Sequence, residues 1–364
     1  MPNRREFLSQ SAIATGMMAL GSTRAPSAPS NASGADTSKS MKAVKLPRTD
    51  LSASRLAFGC AMLGWDWDSP DFIAKTIPII ETALDQGITF FDLADVYGYG
   101  KSESALGEVL KQSPGLRSKI VIQTKCGDRF REGGVIDNSY EHIMESVEGS
   151  LQRLSTDHVD GLLLHWPDSL VRPDEVAKAF DALKRHGKVR YFGVSNHNPY
   201  QIELLQRTVR QPLVVNQIQL GLMHWYTEPP IEKGFMTHGF EGVIDLDYCR
   251  AHDIQVQAYS PLKTDNIGSL TTLLKPPADA TSEVKAAAAL LADLAKKYEV
   301  TPAAVMIAWL LRHPAGIVPI IGATKPEHVV ENAAAAEVEL TRTEWYSLTN
   351  ASAAVQAQSA PKKT

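Results

Sequence analysis

The sequence predicts a single-domain (β/α)8 TIM barrel, and three observations support this fold class. Eight short apolar runs of strand length alternate with amphipathic stretches of helix length from about residue 53 onward. The chain has 364 residues, 44% of them hydrophobic, which is enough for one large core. A doubly wound sheet is the alternative, but the first strand–helix turn, FGCAMLGW, lacks the Gly-rich dinucleotide fingerprint of that fold.

The predicted strands and helices follow one another along the chain. The strands are expected at 54–59, 88–92, 119–124, 160–165, 189–194, 213–218, 254–259 and 316–321. The helices are expected at 71–86, 102–111, 139–153, 174–186, 199–208, 242–252, 284–297 and 326–336. Several of these helices begin with residues that favour helix starts, such as Ser139 and the Asn198-Pro199 pair.

Three segments fall outside this repeat. Residues 42–55 precede the first strand and are expected to form a hairpin that closes the barrel floor. Residues 301–312 are expected to form an extra helix before the last strand. The barrel is therefore predicted to span 44–345, and the Ala-, Ser-, Gln- and Lys-rich segment 346–364 is predicted to be a loose tail.

The first 35 residues have a different composition. Arg4 and Arg5 precede Phe7 and Leu8, and a short apolar run and a stretch of small residues follow. This pattern resembles a twin-arginine export signal, and the run is far shorter than the ~20 residues needed to span a bilayer. The pattern predicts transient contact with the export machinery and a periplasmic protein without a stable membrane span. A disordered tail with two chance arginines, on a cytoplasmic protein, is the alternative.

Charge and cysteine content argue against several classes of protein. The net charge is −4, with no basic surplus of the kind that nucleic-acid binding requires. The three cysteines, Cys60, Cys126 and Cys249, are too few for a disulfide framework, and we expect them to be core residues. No His, Cys or Asp cluster has metal-ligand spacing, so no metal is expected. The sequence does not indicate an oligomeric state.

Four residues with chemically active side chains lie at or just after successive strand ends. They are Asp92, Tyr97, Lys125 and His165. In this fold the strand ends and the loops that follow them carry function. A phenol has a pKa of about 10, and a neighbouring ammonium is expected to lower it toward a useful range. Tyr97 is the predicted proton donor to a carbonyl oxygen, while hydride arrives at the carbon. Lys125 tunes Tyr97, Asp92 anchors Lys125, and His165 orients the oxygen.

A series of motifs resembles the aldo-keto reductases from about residue 44 to about residue 345. In order, they are FFDLADVYG, TKCG, LLLHWPD, GKVRYFGVSNH, NQIQ, AYSPL and IIGATKPEHVVEN. Their order and separations are similar to those of the family, and the chain most resembles its poorly characterised bacterial branch. The resemblance implies reduction of a small-molecule aldehyde or ketone by a nicotinamide cofactor, usually NADPH.

The resemblance also implies where that cofactor binds. Ser195, Asn196 and Gln217 would hold the carboxamide, and Tyr259 would stack on the nicotinamide ring. The pyrophosphate would be embraced by Ser260, Pro261, Leu262 and Lys263, and the adenosine end by Gly322, Thr324, Lys325, His328, Glu331 and Asn332. Many relatives place an arginine in this last segment, whereas here the fixed cation is Lys325, a point charge without a bidentate fork. NADP is therefore preferred, with NAD as the alternative.

Two other functions remain open at this stage. A cofactor-binding regulatory or scaffolding subunit with little turnover is the main alternative, and a barrel isomerase or sugar-processing enzyme is a third. The predicted quartet favours catalysis over the regulatory role, and activity that survives Tyr97→Phe would favour the third. Candidate walls of the substrate pocket are Trp65, Trp67, Trp166, His224, Trp225 and Tyr226, and aromatic side chains there would suit sugar rings or aryl aldehydes.

Overall fold

The computed structural model describes residues 41–63, 69–129, 133–224, 243–264 and 269–359. The predicted export signal at 1–35 lies outside these residues, as do Trp65, Trp67, Trp225 and Tyr226. Among the helices of the described ranges, none combines the length and the apolar character that a membrane crossing requires.

Eight parallel strands close into a barrel in chain order, which confirms the predicted fold class. They are β1 (Ala57–Gly59), β2 (Phe90–Asp92), β3 (Val121–Cys126), β4 (Val159–Leu164), β5 (Val189–Ser195), β6 (Leu213–Gln219), β7 (Gln255–Tyr259) and β8 (Val318–Ile321). The last strand pairs with the first, with Ile320 opposite Ala57, so the sheet has no free edge.

Helices surround the barrel. They are α1 (Phe72–Asp85), α2 (Lys101–Gln112), α3 (Tyr140–Leu154), α4 (Pro173–Arg185), α5 (Pro199–Gln206), α6 (Val243–Ala251), α7 (Leu270–Leu274), α8 (Ser282–Tyr298), α9 (Pro302–Leu311), α10 (Pro326–Ala333) and α11 (Arg342–Ser359). The predicted entry residues cap their helices. The Ser139 hydroxyl accepts from the backbone N–H of His142, and Asn198 forms a capping box with Gln201. The predicted extra helix is α9, and α7 was not predicted.

A hairpin covers the floor of the barrel, as predicted. Ala43–Lys45 pairs antiparallel with Ser52–Ser54. Its apolar side chains, among them Leu46 and Leu51, pack against Phe90 and Val121 at the starts of their strands. The hairpin therefore covers the floor with an apolar layer, and the predicted quartet lies at the opposite end of the barrel.

The prediction of a loose tail from residue 346 is wrong as far as residue 359. Residues 342–359 form α11, and its beginning docks through Trp345, which stacks on Trp309 with ring centroids 5.2 Å apart. Further along, the Ser352 hydroxyl donates to the Leu222 carbonyl, and Val355 is buried. The helix was not predicted because its polar, Ala-rich sequence lacks a strong apolar periodicity. Tertiary contacts stabilise it instead.

Candidate active site

The buried ammonium of Lys125 is the centre of the predicted quartet. Lys125 lies near the end of β3, and its side chain is 0% exposed. Its Nζ donates to Asp92 Oδ2 at 2.8 Å, to the Leu93 carbonyl at 2.8 Å and to the Tyr97 hydroxyl oxygen at 3.0 Å. All three protons of the ammonium are therefore used, and Lys125 links the carboxylate to the phenol.

Asp92, the last residue of β2, is held on its other oxygen by two amides. Oδ1 accepts from Gln123 Nε2 and from Gln217 Nε2, each at 2.8 Å. The carboxylate is therefore a buried anion with three donors, and a buried charge requires such complete pairing. Gln217 was predicted to bind the cofactor, whereas Gln123 was not predicted to belong to the site.

The loop that carries Tyr97 is fixed to β3 by backbone hydrogen bonds. Leu93 N–H donates to Gln123 O at 2.8 Å, and Asp95 N–H donates to Lys125 O at 3.1 Å. The turn Tyr97–Gly100 that follows contains three residues with positive φ, including Gly100 at 83°. A side chain at Gly100 would collide with Arg153, whose Nε donates to the buried Glu103 at 2.7 Å. Glycine is therefore required where the loop meets α2.

His165 lies beside Tyr97 at the end of β4. Its ring meets the Tyr97 ring edge-on, with centroids 5.8 Å apart, and stacks on Trp166. Burial, followed by the charge of Lys125, lowers the pKa of His165 well below its usual value. The imidazole is therefore neutral near pH 7, a form in which one ring nitrogen donates and the other accepts.

The expected depression of the Tyr97 pKa is wrong in sign. Burial raises the pKa of the phenol, and although the Lys125 ammonium opposes this shift, Asp92 adds to it. Burial also acts on Lys125, but the charge of Asp92 and the hydrogen bonds outweigh it and raise the lysine pKa. The pair is therefore a protonated phenol beside a charged ammonium, which is an acid ready to donate.

Four residues assigned to the nicotinamide end lie at the ends of three adjacent strands. Asn196 adopts a left-handed φ of 62°, and its Oδ1 accepts from the Tyr259 hydroxyl at 2.9 Å. Its Nδ2 donates to Ser195 Oγ at 3.0 Å and to the His165 carbonyl at 3.2 Å. Gln217, the neighbour of Ser195 across the strand pair, faces Asp92 from below. This polar cluster therefore borders the predicted quartet.

The residues assigned to the pyrophosphate follow β7 directly. Ser260 has a left-handed φ of 52°, and Lys263 N–H closes the turn onto Ser260 O at 3.0 Å. The Pro261 backbone lies so close to Gly221 that a Cβ there would come within 2.4 Å of its carbonyl oxygen. Leu262 is partly buried against the main core. The loop is therefore a tight turn at the barrel mouth.

The residues assigned to the adenosine end follow β8, the next strand. Gly322, Thr324, Lys325 and Glu331 are exposed, His328 is partly exposed, and Asn332 is buried. Lys325 is the N-cap of α10 but makes no side-chain cap, and Pro326 occupies the first turn. The start of α10 therefore offers uncapped amides and the positive end of its dipole beside an exposed ammonium.

These residues fit a nicotinamide dinucleotide. A phenol and amide groups border the predicted quartet at the ends of β5, β6 and β7, whereas uncapped amides and a cation follow β8, the next strand around the mouth. An extended anion with one flat aromatic end matches this separation of chemistry. The assignment of each residue to a part of the cofactor stays a prediction.

Two contributors were not predicted from the sequence, and both are glutamines of the barrel interior. Gln123 and Gln257 exchange hydrogen bonds beneath Asp92. The period of two along a strand is the signal that reveals them, because Gln123 is two residues before Lys125 and Gln257 two residues before Tyr259. Of the proposed pocket walls within the described residues, Trp166 stacks on His165 and His224 follows β6 in a short 3-10 turn.

The sequence of this chain is similar to those of known reductases. A profile of the aldo/keto reductase family matches residues 55–353. The chain is 39% identical over 306 residues to 6-dehydroglucose reductase of Agrobacterium fabrum, covering 82% of this chain and 94% of that protein. It is 36% identical over 309 residues to the uncharacterised oxidoreductase YcsN of Bacillus subtilis, covering 82% and 93%.

Solved structures show the same architecture. A thermostable aldo-keto reductase, Tm1743, in complex with the inhibitor epalrestat superposes with a TM-score of 0.68 at 26% identity, covering 85% of this chain and 100% of that one. Glycerol dehydrogenase AKR11B4 from Gluconobacter oxydans superposes with a TM-score of 0.69 at 27% identity, covering 88% and 97%. The likeness therefore extends over the whole barrel.

Proposed function

The chain belongs to the aldo/keto reductase family, and we propose that it reduces an aldehyde or ketone to an alcohol with a nicotinamide cofactor, with Tyr97 as general acid. The observation that carries the proposal is the contact of one buried ammonium, Lys125, with both Asp92 and the Tyr97 hydroxyl. Such a linked acid, phenol and lysine provides a proton donor that does not require a metal.

Proton delivery follows from the charges in the quartet. The raised pKa of Tyr97 keeps the phenol protonated at neutral pH, so the proton is available. When it leaves, the phenolate is stabilised by Lys125, whose Nζ is already 3.0 Å from the oxygen. Asp92 keeps Lys125 charged throughout and holds it in place. The geometry requires no rearrangement of the protein for this step.

Tyr97 and His165 together select the position of the carbonyl oxygen. Their edge-on rings leave a hydroxyl and a neutral imidazole at the same side of the mouth. Two hydrogen bonds to one oxygen orient the carbonyl group and polarise it. His165 thus contributes orientation without competing as an acid.

The nicotinamide cofactor, when bound, supplies the hydride to the carbonyl carbon. Ser195, Asn196 and Gln217 would hold the carboxamide, and the Tyr259 ring would pack against the nicotinamide. Lys325 is an exposed ammonium at the start of α10, where a 2′-phosphate would find both a cation and a helix dipole. We therefore propose NADP, with NAD as the alternative.

The substrate belongs to the small carbonyl compounds. Two relatives are 6-dehydroglucose reductases, one from Agrobacterium fabrum and one from Novosphingobium aromaticivorans, the latter 31% identical over 315 residues. An oxidised hexose that carries an aldehyde is therefore the first candidate for this chain. Trp166, stacked on His165 beside the site, offers the kind of aromatic face on which a sugar ring packs.

We also propose that the first 35 residues direct export by the twin-arginine route. This route carries folded protein, so the cofactor is loaded in the cytoplasm and retained. Cell fractionation tests the idea with a matched pair, the natural chain and Arg4→Lys with Arg5→Lys. The natural chain should reach the periplasm with cofactor bound, and the paired variant should stay in the cytoplasm. Cofactor-free protein in the periplasm would contradict retention.

Turnover of NADPH, followed by its absorbance with a panel of aldehydes that includes 6-dehydroglucose, tests the function. The wild type should reduce at least one substrate, and Tyr97→Phe should lose about 10²–10⁴-fold in kcat. Tyr99→Phe is the matched control, because Tyr99 lies in the same turn with its side chain half-exposed. Tight cofactor binding without turnover of any substrate would favour the regulatory-subunit alternative instead.

A further inference from the structure

Two glutamines face each other across the barrel axis. Gln123 is on β3 and Gln257 is on β7, the strands that lie opposite in the closed order. Gln123 Nε2 donates to Gln257 Oε1 at 2.7 Å, and Gln257 Nε2 donates back to Gln123 Oε1 at 3.0 Å. Their exposed fractions are 2% and 0%. Branched apolar side chains usually fill this layer of a barrel, so the pair is a departure that requires a reason.

The pair belongs to a closed ring of hydrogen bonds. Gln123 Nε2 also donates to Asp92 Oδ1 at 2.8 Å. Gln217 Nε2 donates to the same Asp92 oxygen at 2.8 Å and to Gln257 Oε1 at 3.0 Å. Both amide hydrogens of Gln123 and both of Gln217 are therefore used within the ring. Asp92 and Gln257 are joined only through these two donors.

The ring fixes the orientation of the Gln217 amide. A flipped amide would place the Gln217 carbonyl oxygen against the Asp92 carboxylate and against Gln257 Oε1, with three acceptors facing one another. With the observed orientation, the carbonyl oxygen is the group of Gln217 that remains to accept from a ligand. Gln257 helps to fix the orientation of the Gln217 amide because its Oε1 is one of the two acceptors of Gln217 Nε2, the other being Asp92 Oδ1.

The ring also fixes the Asp92 carboxylate. Lys125 binds Oδ2, and the two amides bind Oδ1, so rotation of the carboxylate would break contacts on both sides. The direction of Lys125, and through it the Tyr97 hydroxyl, depends on this anchor. Gln123 supports the anchor from the strand that also carries Lys125.

We propose that Gln123 and Gln257 are positioning residues for the reduction. Gln123 fixes the Asp92 carboxylate beneath Lys125. Gln257 fixes the amide of Gln217 so that its carbonyl oxygen accepts from the carboxamide of the nicotinamide. The proposal rests on the function proposed above. It predicts that Gln123 affects kcat and that Gln257 affects the affinity for NADPH.

Two variants separate these effects, Gln123→Met and Gln257→Met, which keep an unbranched side chain of similar length. Quenching of intrinsic fluorescence by NADPH measures binding without turnover. For Gln257→Met we expect about tenfold weaker NADPH binding, the cost of one hydrogen bond, with kcat changed less than about threefold. For Gln123→Met we expect kcat to fall about tenfold, with NADPH affinity within about threefold of the wild type.

Gln255→Met is the matched control. Gln255 lies two residues below Gln257 on the same face of β7 and is also buried, and its Oε1 has no hydrogen-bond partner within the described residues. It lies outside the ring, so its variant should keep both NADPH affinity and kcat. Thermal unfolding of all variants measures the structural cost separately.

The outcomes distinguish this proposal from the one on which it rests. Wild-type NADPH affinity in Gln257→Met, or wild-type kcat in Gln123→Met, would overturn the positioning roles. An equal loss of both quantities in all three variants would also overturn them, because it indicates a merely structural role. If the methionine variants fail to fold, Gln123→Asn and Gln257→Asn retain an amide, and the same split is expected. A wild type that neither binds NADPH nor reduces any carbonyl would instead refute the proposed function.

Discussion

Two buried carboxylates, Asp92 and Asp160, lie at opposite ends of the barrel. They have the same exposed fraction and accept the same number of hydrogen bonds. Each side chain is 3% exposed, and each accepts three strong hydrogen bonds. Asp160, near the start of β4, binds Arg117 at 2.9 Å and Arg190 at 2.8 Å. Asp92, at the end of β2, binds Lys125 and two amides. Burial and pairing alone therefore do not distinguish a carboxylate of the candidate active site from a structural one.

The difference lies in what the cations touch next. Arg117 also donates to the carbonyls of Ile120 and His158, and Arg190 also reaches Asp50 of the floor hairpin. These contacts join the strands, the loops and the hairpin, and the outermost partner, Asp50, is exposed to solvent. Lys125 is wholly buried, and beside Asp92 it binds the Leu93 carbonyl and the Tyr97 hydroxyl at the mouth. A buried carboxylate becomes part of a site when its cation leads to a group that can exchange a proton.

Asp92→Asn should have the largest effect on activity. The substitution removes the charge that holds Lys125 protonated and in place, so we expect kcat/KM to fall about 10²–10⁴-fold. Loss of the charge partner of a buried ammonium should also cost stability, by about 2–4 kcal/mol. Steady-state kinetics on protein that circular dichroism shows to be folded checks the first part. Activity near the wild-type value would contradict the role of Asp92.

Asp160→Asn should cost stability without removing activity. It leaves two guanidinium groups without their shared anion. Because Arg117 and Arg190 are partly exposed and can be hydrated, the free energy of unfolding should fall by only about 2–4 kcal/mol. Urea unfolding measures the loss, and kcat per folded molecule should stay within about threefold of the wild type. A large fall in kcat for the folded protein would erase the contrast with Asp92.

Asp95 is a third buried carboxylate, and it is expected to make stability depend on pH. Burial and the nearby Glu103 raise its pKa from 3.8 to about 7, against the effects of Ser146 and Arg153. Below pH 4 the group is protonated in both the folded and the unfolded chain. Between pH 4 and 7 only the unfolded chain ionises, so the stability contributed by this group is lost as pH rises through that range.

Asp95→Asn should therefore stabilise the protein at high pH only. One pKa unit corresponds to about 1.4 kcal/mol, so the rise from 3.8 to about 7 predicts a gain of about 4 kcal/mol at pH 8 and almost none at pH 4. Thermal unfolding of the variant and the wild type across this range measures the difference. A gain that is independent of pH would show that Asp95 is not protonated in the folded state.

Asp50→Asn should have the smallest effect. Asp50 accepts from Arg190 and from the Tyr191 hydroxyl, each at 2.8 Å, but its side chain is 70% exposed. Exposed pairs contribute about 0–1 kcal/mol, so the free energy of unfolding should change by less than about 1 kcal/mol. Urea unfolding at low and high salt checks this, and a loss as large as that of Asp160→Asn would refute the distinction between the inner and outer parts of the floor network.

The fold could be predicted from the sequence because the barrel strands carry a local signal. The run ITFFD at 88–92 and the run LVVNQI at 213–218 are apolar segments of strand length, and each lies within one or two residues of β2 and β6. Helix starts such as Ser139 and Asn198 also act locally. Residues 346–359 gave no such signal, since their helix depends on tertiary contacts of α11.

The convergence of the quartet was predictable, whereas its electrostatics were not. Asp92, Lys125 and His165 come together because parallel strands of a barrel end on the same rim. The direction of the Tyr97 pKa depends on burial, which is set by the packing of the loop and not by its own residues. The ring of Gln123, Gln217 and Gln257 depends on which strands lie opposite each other, a property of the closed barrel alone.

The central claim is that Lys125 couples Asp92 to Tyr97, so that the two act as one unit. A double-mutant cycle in kcat with Asp92→Asn, Tyr97→Phe and the double variant tests it most directly. The account predicts that the double variant is no slower than the slower single variant, within about threefold, because either change already disables proton donation. Rate losses that multiply in the double variant would mean that Asp92 and Tyr97 act independently, and would contradict the account.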